Sequence, residues 1–151
     1  SAQAGNEDSL PEFQGIETWL NSPPLTTQKL KGKVVAVQFW TLGCINCQRT
    51  LPSIVSLHQN YAEQGLVIVG VHTPEFPYER DINNIKEAIK KHGITYAVPV
   101  DNGFQTWRAY QNEYWPHLFI ADKAGRIRYD HIGEGAYKET DKMVQKLLAE
   151  A

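Results

Sequence analysis

The chain has 151 residues, enough for one domain with a substantial core and too few for two comfortable ones. Hydrophobic residues make up 42% and charged residues 21%, the balance of an ordinary globular domain. With 15 basic and 17 acidic side chains the formal charge is -2, which leaves no basic stripe for nucleic acid, and no apolar run approaches the length of a membrane span.

Residues 1–11 read as a disordered N-terminal segment, and its opening SAQAGNEDS carries no apolar stretch of a leader peptide. Gly15 to Ser22 holds Trp19 and Leu20 in polar surroundings before Pro23-Pro24 enforces an extended backbone, so it reads as an arm anchored by Trp19. Lys31-Gly32-Lys33 is a turn. Val34 to Trp40 (VVAVQFW) is the continuous β-branched and aromatic run of a strand buried on both faces.

Helical spacing follows, with Leu51, Ile54, Val55, His58, Tyr61 and Ala62 on one face, Pro52 as an expected kink and Gly65 as the stop. Leu66 to Val71 is a second buried strand. Ile82 to His92 is a helix closed by Gly93, Tyr96 to Val100 a short edge strand, and Phe104 to Tyr110 a short helix. Leu118 to Ala121 and Ile127 to Ile132 form a hairpin around Asp122-Lys123-Ala124-Gly125, and Thr140 to Glu150 is a closing amphipathic helix. Alternating strands and helices imply parallel pairing with right-handed crossovers, completed by the hairpin.

The only two cysteines stand as Cys44-Ile45-Asn46-Cys47, directly between the first buried strand and the first helix. A cysteine opening a helix meets unpaired N–H groups and the positive end of the helix dipole, which favour the thiolate, the reactive form. A C-x-x-C in this setting points to thiol–disulfide exchange. A purely structural disulfide would close so short a loop that it stabilises little. Half of a zinc site would need further ligands, and His58, His72, His92, His117 and His131 lack finger-type spacing to the pair.

The run QFWTLGCINCQRTLP resembles the thioredoxin active-site segment at Trp40, Cys44, Cys47 and Pro52, and Trp115-Pro116-His117 before LFIAD resembles the family's cis-proline loop. The stretch between Val71 and Val100 resembles the insertion of the TlpA/redoxin branch. WLNSPPLT, LKGKVV, CINC, RTLP, GVHTPEF and YWP together resemble the DipZ-like group, and a sister pattern occurs in thioredoxin domains joined to NHL repeats.

The resemblance implies an α/β thioredoxin-like fold over residues 12–151: a central mixed sheet flanked by helices, with a central βα insertion and an N-terminal extension. It also implies an extracytoplasmic setting, protein disulfide substrates, a CcdA/DsbD-type membrane electron donor, and no cofactor beyond the cysteine pair. Thioredoxin's buried aspartate is Gln38 here, and the glutamate that TlpA-type proteins carry after the second cysteine is Thr50. Bulky Trp115 precedes the expected cis-proline, where thioredoxins carry a small or β-branched residue.

These positions assign roles. Cys44 should attack and Cys47 resolve the mixed disulfide. Glu75, after the second buried strand, should be partly buried and take the Cys47 proton. Trp40, Trp115 and Pro116 should border the substrate groove. Two other readings compete: a peroxiredoxin-like peroxidase, because Thr41-Leu42-Gly43-Cys44 spells T-x-x-C although Val37 replaces the proline expected before it, and a non-enzymatic module binding Cu(I) through soft thiolates.

Overall fold

A computed structural model describes residues 9–151. One mixed sheet of six strands, ordered β1-β4-β3-β2-β5-β6, organises them. The strands are β1 (Thr18–Leu20), β2 (Val34–Trp40), β3 (Leu66–His72), β4 (Val98–Val100), β5 (His117–Ala121) and β6 (Ile127–Ile132). The helices are α1 (Ile45–Tyr61), α2 (Ile82–His92), α3 (Gln105–Ala109) and α4 (Tyr137–Ala149).

β2 lies at the centre because every one of its residues is buried, and only a strand covered on both faces can be apolar without alternation. It runs parallel to β3 and antiparallel to β5, with Gln38 opposite Gly70 on one side and Leu118 on the other. Alternate side chains serve two cores. Val34, Ala36 and Trp40 pack with Leu51 and Ile54 of α1, Ile85 and Ile89 of α2, and Val144 and Leu147 of α4. Val35, Val37 and Phe39 pack with Leu10, Phe13, Trp107 of α3 and Tyr110.

Leu147 is fully buried at the α4 contact. Leu147→Ala is expected to cost about 2–5 kcal/mol in urea unfolding, through lost burial and the cavity left behind.

Three expectations change. Residues 1–8 lie outside the described residues, but Ser9 to Pro11 are ordered: Ser9 bridges to Arg126, and buried Leu10 donates its N–H to Gly125 O at 2.9 Å. The arm around Trp19 is strand β1, paired antiparallel with β4, so β4 is not an edge. Only three residues long, β1 offers too little periodicity to announce itself. The last helix begins at Tyr137 instead of Thr140.

The hairpin turn is as expected. Asp122 Oδ1 accepts the N–H groups of Ala124 and Arg126, both at 3.0 Å, and Gly125 takes the positive φ of +84° that the reversal requires.

Candidate active site

β2 ends at Trp40 and the chain crosses the end of the sheet before Ile45 opens α1. Cys44 is the N-cap of that helix, with φ -86° and ψ 117°. Its Sγ accepts the Cys47 N–H at 3.2 Å, the place a capping oxygen usually takes. Cys44 is partly exposed, whereas Cys47, one turn into the helix, is completely buried.

Environment separates the two thiols. The Cys47 side chain beside Cys44, together with the backbone N–H groups of Cys47 and Asn46, overcomes partial burial and draws Cys44 down to about 7. Burial, then the Cys44 side chain and its charge, push the Cys47 thiol up. Cys44 is thus the thiol set to ionise near neutral pH, and Cys47 the one set to keep its proton.

The Trp115–Pro116 bond is cis. The Trp115 carbonyl O lies 3.8 Å from Cys44 Sγ, so this backbone borders the exposed thiol. The Trp115 indole N–H donates to Thr73 O at 2.8 Å, and its ring packs 4.2 Å from that of Trp107. Pro116 is buried and lines a cavity of about 170 Å³ with Gln38, Thr50, Ile54, Leu118 and Thr140. Both polar atoms of the Gln38 amide and the Thr50 hydroxyl are buried there without hydrogen-bond partners among the described residues.

Trp40 does not border the groove as expected. It is fully buried, donates its N–H to Gly70 O at 3.1 Å and meets the His72 ring edge-on at 4.7 Å, so it supports the redox turn from within the core. As the last residue of a strand covered on both faces, it has no route to the surface.

His72 ends β3 and is also fully buried, with Nε2 accepting the Leu42 N–H at 3.1 Å. Burial pushes this imidazole down to about 3, so it is neutral and serves as an acceptor for the turn. His117 is held between Asn112 Oδ1 at 2.7 Å and Asp130 Oδ2 at 2.8 Å and stacks on Phe119, which makes it part of the β5–β6 packing.

Glu75 also departs from expectation. It is exposed, not partly buried, and its negative charge acts on Cys44. Two carboxylates are fully buried: Asp101, which accepts from Thr73, Thr106 and Trp107, and Glu79, in the 3₁₀ turn Pro77–Arg80 of the insertion, which reaches the redox turn. Glu79 Oε2 accepts the Gly43 N–H at 2.9 Å, and Oε1 accepts those of Glu75 at 2.7 Å and Phe76 at 2.8 Å. The sequence held a sign of it: Pro77 opens a turn and Glu79 follows two residues on, where a carboxylate can reach back to the free N–H groups ahead of it.

Among the described residues no group of three or more His, Cys, Asp or Glu side chains is placed to hold a metal ion. No helix there is long and apolar enough to cross a membrane.

The AhpC/TSA family pattern matches residues 7–130 of the chain. Protein DipZ of Mycobacterium tuberculosis is 40% identical over 154 residues, covering 100% of this chain and 22% of DipZ, so the chain spans about a fifth of that relative's length. The thiol-disulfide oxidoreductase YkuV of Bacillus subtilis is 32% identical over 141 residues, covering 93% of this chain and 95% of YkuV. Among solved structures, a thioredoxin-like protein in its oxidised form superposes with a TM-score of 0.86 at 32% identity, covering 95% of this chain and 97% of that one.

Proposed function

Because the chain belongs to the AhpC/TSA family of thioredoxin-like proteins, we propose that its Cys44–Cys47 pair makes it a protein-disulfide oxidoreductase working as an extracytoplasmic reductase. The observation that carries this reading is the division of labour between the thiols: Cys44 accessible and drawn down, Cys47 buried and pushed up. The pair itself is the electron carrier, and residues 12–151 act as a single thioredoxin-like domain.

In the reaction the Cys44 thiolate attacks one sulfur of a substrate disulfide. A Cys44–substrate bond forms, the substrate S–S bond breaks, and the other substrate sulfur leaves as a thiolate that takes up a proton. Cys47 then gives up its proton and attacks Cys44. The Cys44–Cys47 disulfide forms, and the second substrate thiol departs. Two electrons have passed from the pair to the substrate.

The Trp115 carbonyl and Pro116 fit one wall of the substrate groove, given the 3.8 Å approach of that carbonyl to Cys44 Sγ. Ile45, Phe76, Tyr78 and Tyr114 each leave roughly half their surface exposed on segments that adjoin the redox turn, the Glu79 turn or the Pro116 loop. Such a rim suits an unfolded or extended peptide more than a small polar thiol. Renewed reduction of the pair falls to a CcdA/DsbD-type membrane electron donor, in keeping with the likeness to DipZ.

Alkylation tests the reading. In the reduced protein Cys44 should react with iodoacetamide at a rate that rises through about pH 7 and levels off above it, while native Cys47 stays unmodified. Insulin reduction should follow the same rise. Equal labelling of both thiols would overturn the assignment. Fast peroxide turnover with a sulfenate at Cys44 would mark the peroxidase instead, and stoichiometric Cu(I) binding without insulin reduction the metal-handling module.

A further inference from the structure

We propose that Glu79 is a positioning residue of the redox pair, a buried anion that clamps the turn before Cys44 and keeps the proton of the reduced pair on Cys47. The proposal deepens the oxidoreductase reading and rests on it for its purpose, though its test does not depend on any substrate.

Three observations converge on this carboxylate. Glu79 is wholly buried, yet no lysine, arginine or histidine forms an ion pair with it among the described residues. Three backbone N–H groups supply its solvation: one from the redox turn at Gly43 and two from the insertion at Glu75 and Phe76. A carboxylate satisfied only by N–H dipoles keeps its net charge, whereas an ion pair would largely cancel it.

The contact is also shaped by sequence. A Cβ at Gly43 would collide with the Tyr78 hydroxyl and fall 2.5 Å from Glu79 Oε2, so any larger residue there must displace the ends of these two side chains.

The charge has a target. Burial, the Cys44 side chain and the Cys44 charge oppose ionisation of Cys47 most, and the Glu79 charge adds to them in the same direction, while the charge of Glu75 falls on Cys44. With Gln38 and Thr50 neutral where related proteins carry carboxylates, the insertion supplies the negative charge that β2 and α1 lack. Its effect is to repel a second negative charge. The reduced pair then carries its single charge on Cys44, the sulfur that substrates reach. Cys47 ionises only once Cys44 has been neutralised in the mixed disulfide.

Glu79→Gln is the direct test. The side chain keeps its shape but loses its charge, and its amide NH₂ must face one of the three N–H groups that the carboxylate accepts. The pH midpoint of each thiol would be followed by NMR of isotopically labelled cysteine in the reduced protein, alongside thermal melting and the reduction potential measured against glutathione. The expected result is a fall of about one pH unit or more in the Cys47 midpoint and a rise in reduction potential, because easier ionisation stabilises the reduced pair.

A lower melting temperature with the Cys47 midpoint and the potential unmoved would overturn the proposal and leave Glu79 as a structural clamp. If E79Q does not fold, Gly43→Ala gives the same reading from the other side. It retains the carboxylate but forces it off the turn, and the Cys47 midpoint should again fall; an unmoved midpoint overturns the proposal. Absence of insulin reduction by the wild-type protein, with the thiol midpoints shifting in E79Q as expected, would count against the oxidoreductase reading, a separate failure.

Discussion

Cys47→Ser is expected to accumulate mixed disulfides with protein substrates through Cys44, while Cys44→Ser traps almost none and loses insulin reduction to the uncatalysed background. The asymmetry follows from access and charge together. Cys44 caps α1 in partial contact with solvent, drawn down to about 7, so a large share of it is thiolate at neutral pH. Cys47 is sealed in the core and pushed up, so it cannot begin an exchange with an outside disulfide. Without the Cys47 sulfur the first bond forms and nothing releases it. Non-reducing electrophoresis after incubation with oxidised substrate reads the outcome directly. Adducts on C44S as abundant as on C47S would show that the roles are misassigned.

Acid should destabilise the protein through His72. This imidazole is fully buried and held down to about 3, against the ordinary 6.5 of a histidine in the unfolded chain. Below pH 6.5 the unfolded state takes up a proton that the folded state refuses, so stability falls as pH falls, and the loss ends only near pH 3. The slope from this one group is about 1.4 kcal/mol per pH unit, on the order of 3 kcal/mol between pH 6.5 and about pH 4. His72→Gln keeps an acceptor for the Leu42 N–H but cannot titrate. Urea unfolding of both proteins at a series of pH values should show their stabilities converging as pH falls, with the variant lacking this slope. Parallel pH profiles would mean that His72 is protonated in the fold after all.

The two predictions differ in how far the sequence alone could reach them. The placement of the two cysteines was legible because it is local. A strand read from VVAVQFW, a helix read from three-and-four spacing and a C-x-x-C between them suffice to place one sulfur at a helix N-terminus and the other a turn inside. The cis Trp115–Pro116 bond was legible only through resemblance, since nothing in local propensity selects it.

The roles of Trp40, Glu75 and Glu79 were not legible, for a shared reason. Whether Trp40 borders a groove or fills a core depends on what covers the end of β2, and the structure puts His72 and the Gly70 carbonyl there. Glu75 and Glu79 are two carboxylates in PEFPYE, and although Pro77 marks Glu79 as able to reach back to free N–H groups, nothing local says that it meets the redox turn. The 3₁₀ turn at Pro77–Arg80 folds one inward onto the Gly43 N–H and leaves the other in solvent.

By itself the sequence determined the alternation of strands and helices, the burial of β2 on both faces, the hairpin at Gly125 and the place of the C-x-x-C pair at the start of α1. Each rests on periodicity, turn chemistry or spacing within a short stretch of chain. Only the tertiary structure decided that β1 covers β4, that Leu10 is pinned to the Gly125 turn, and that Glu79 supplies the buried anion beside the redox turn. The physical reason is distance along the chain. Gly43 meets a carboxylate 36 positions away, Thr18 pairs with Val100, and no local preference encodes a contact whose partners are joined only by the closing of the fold.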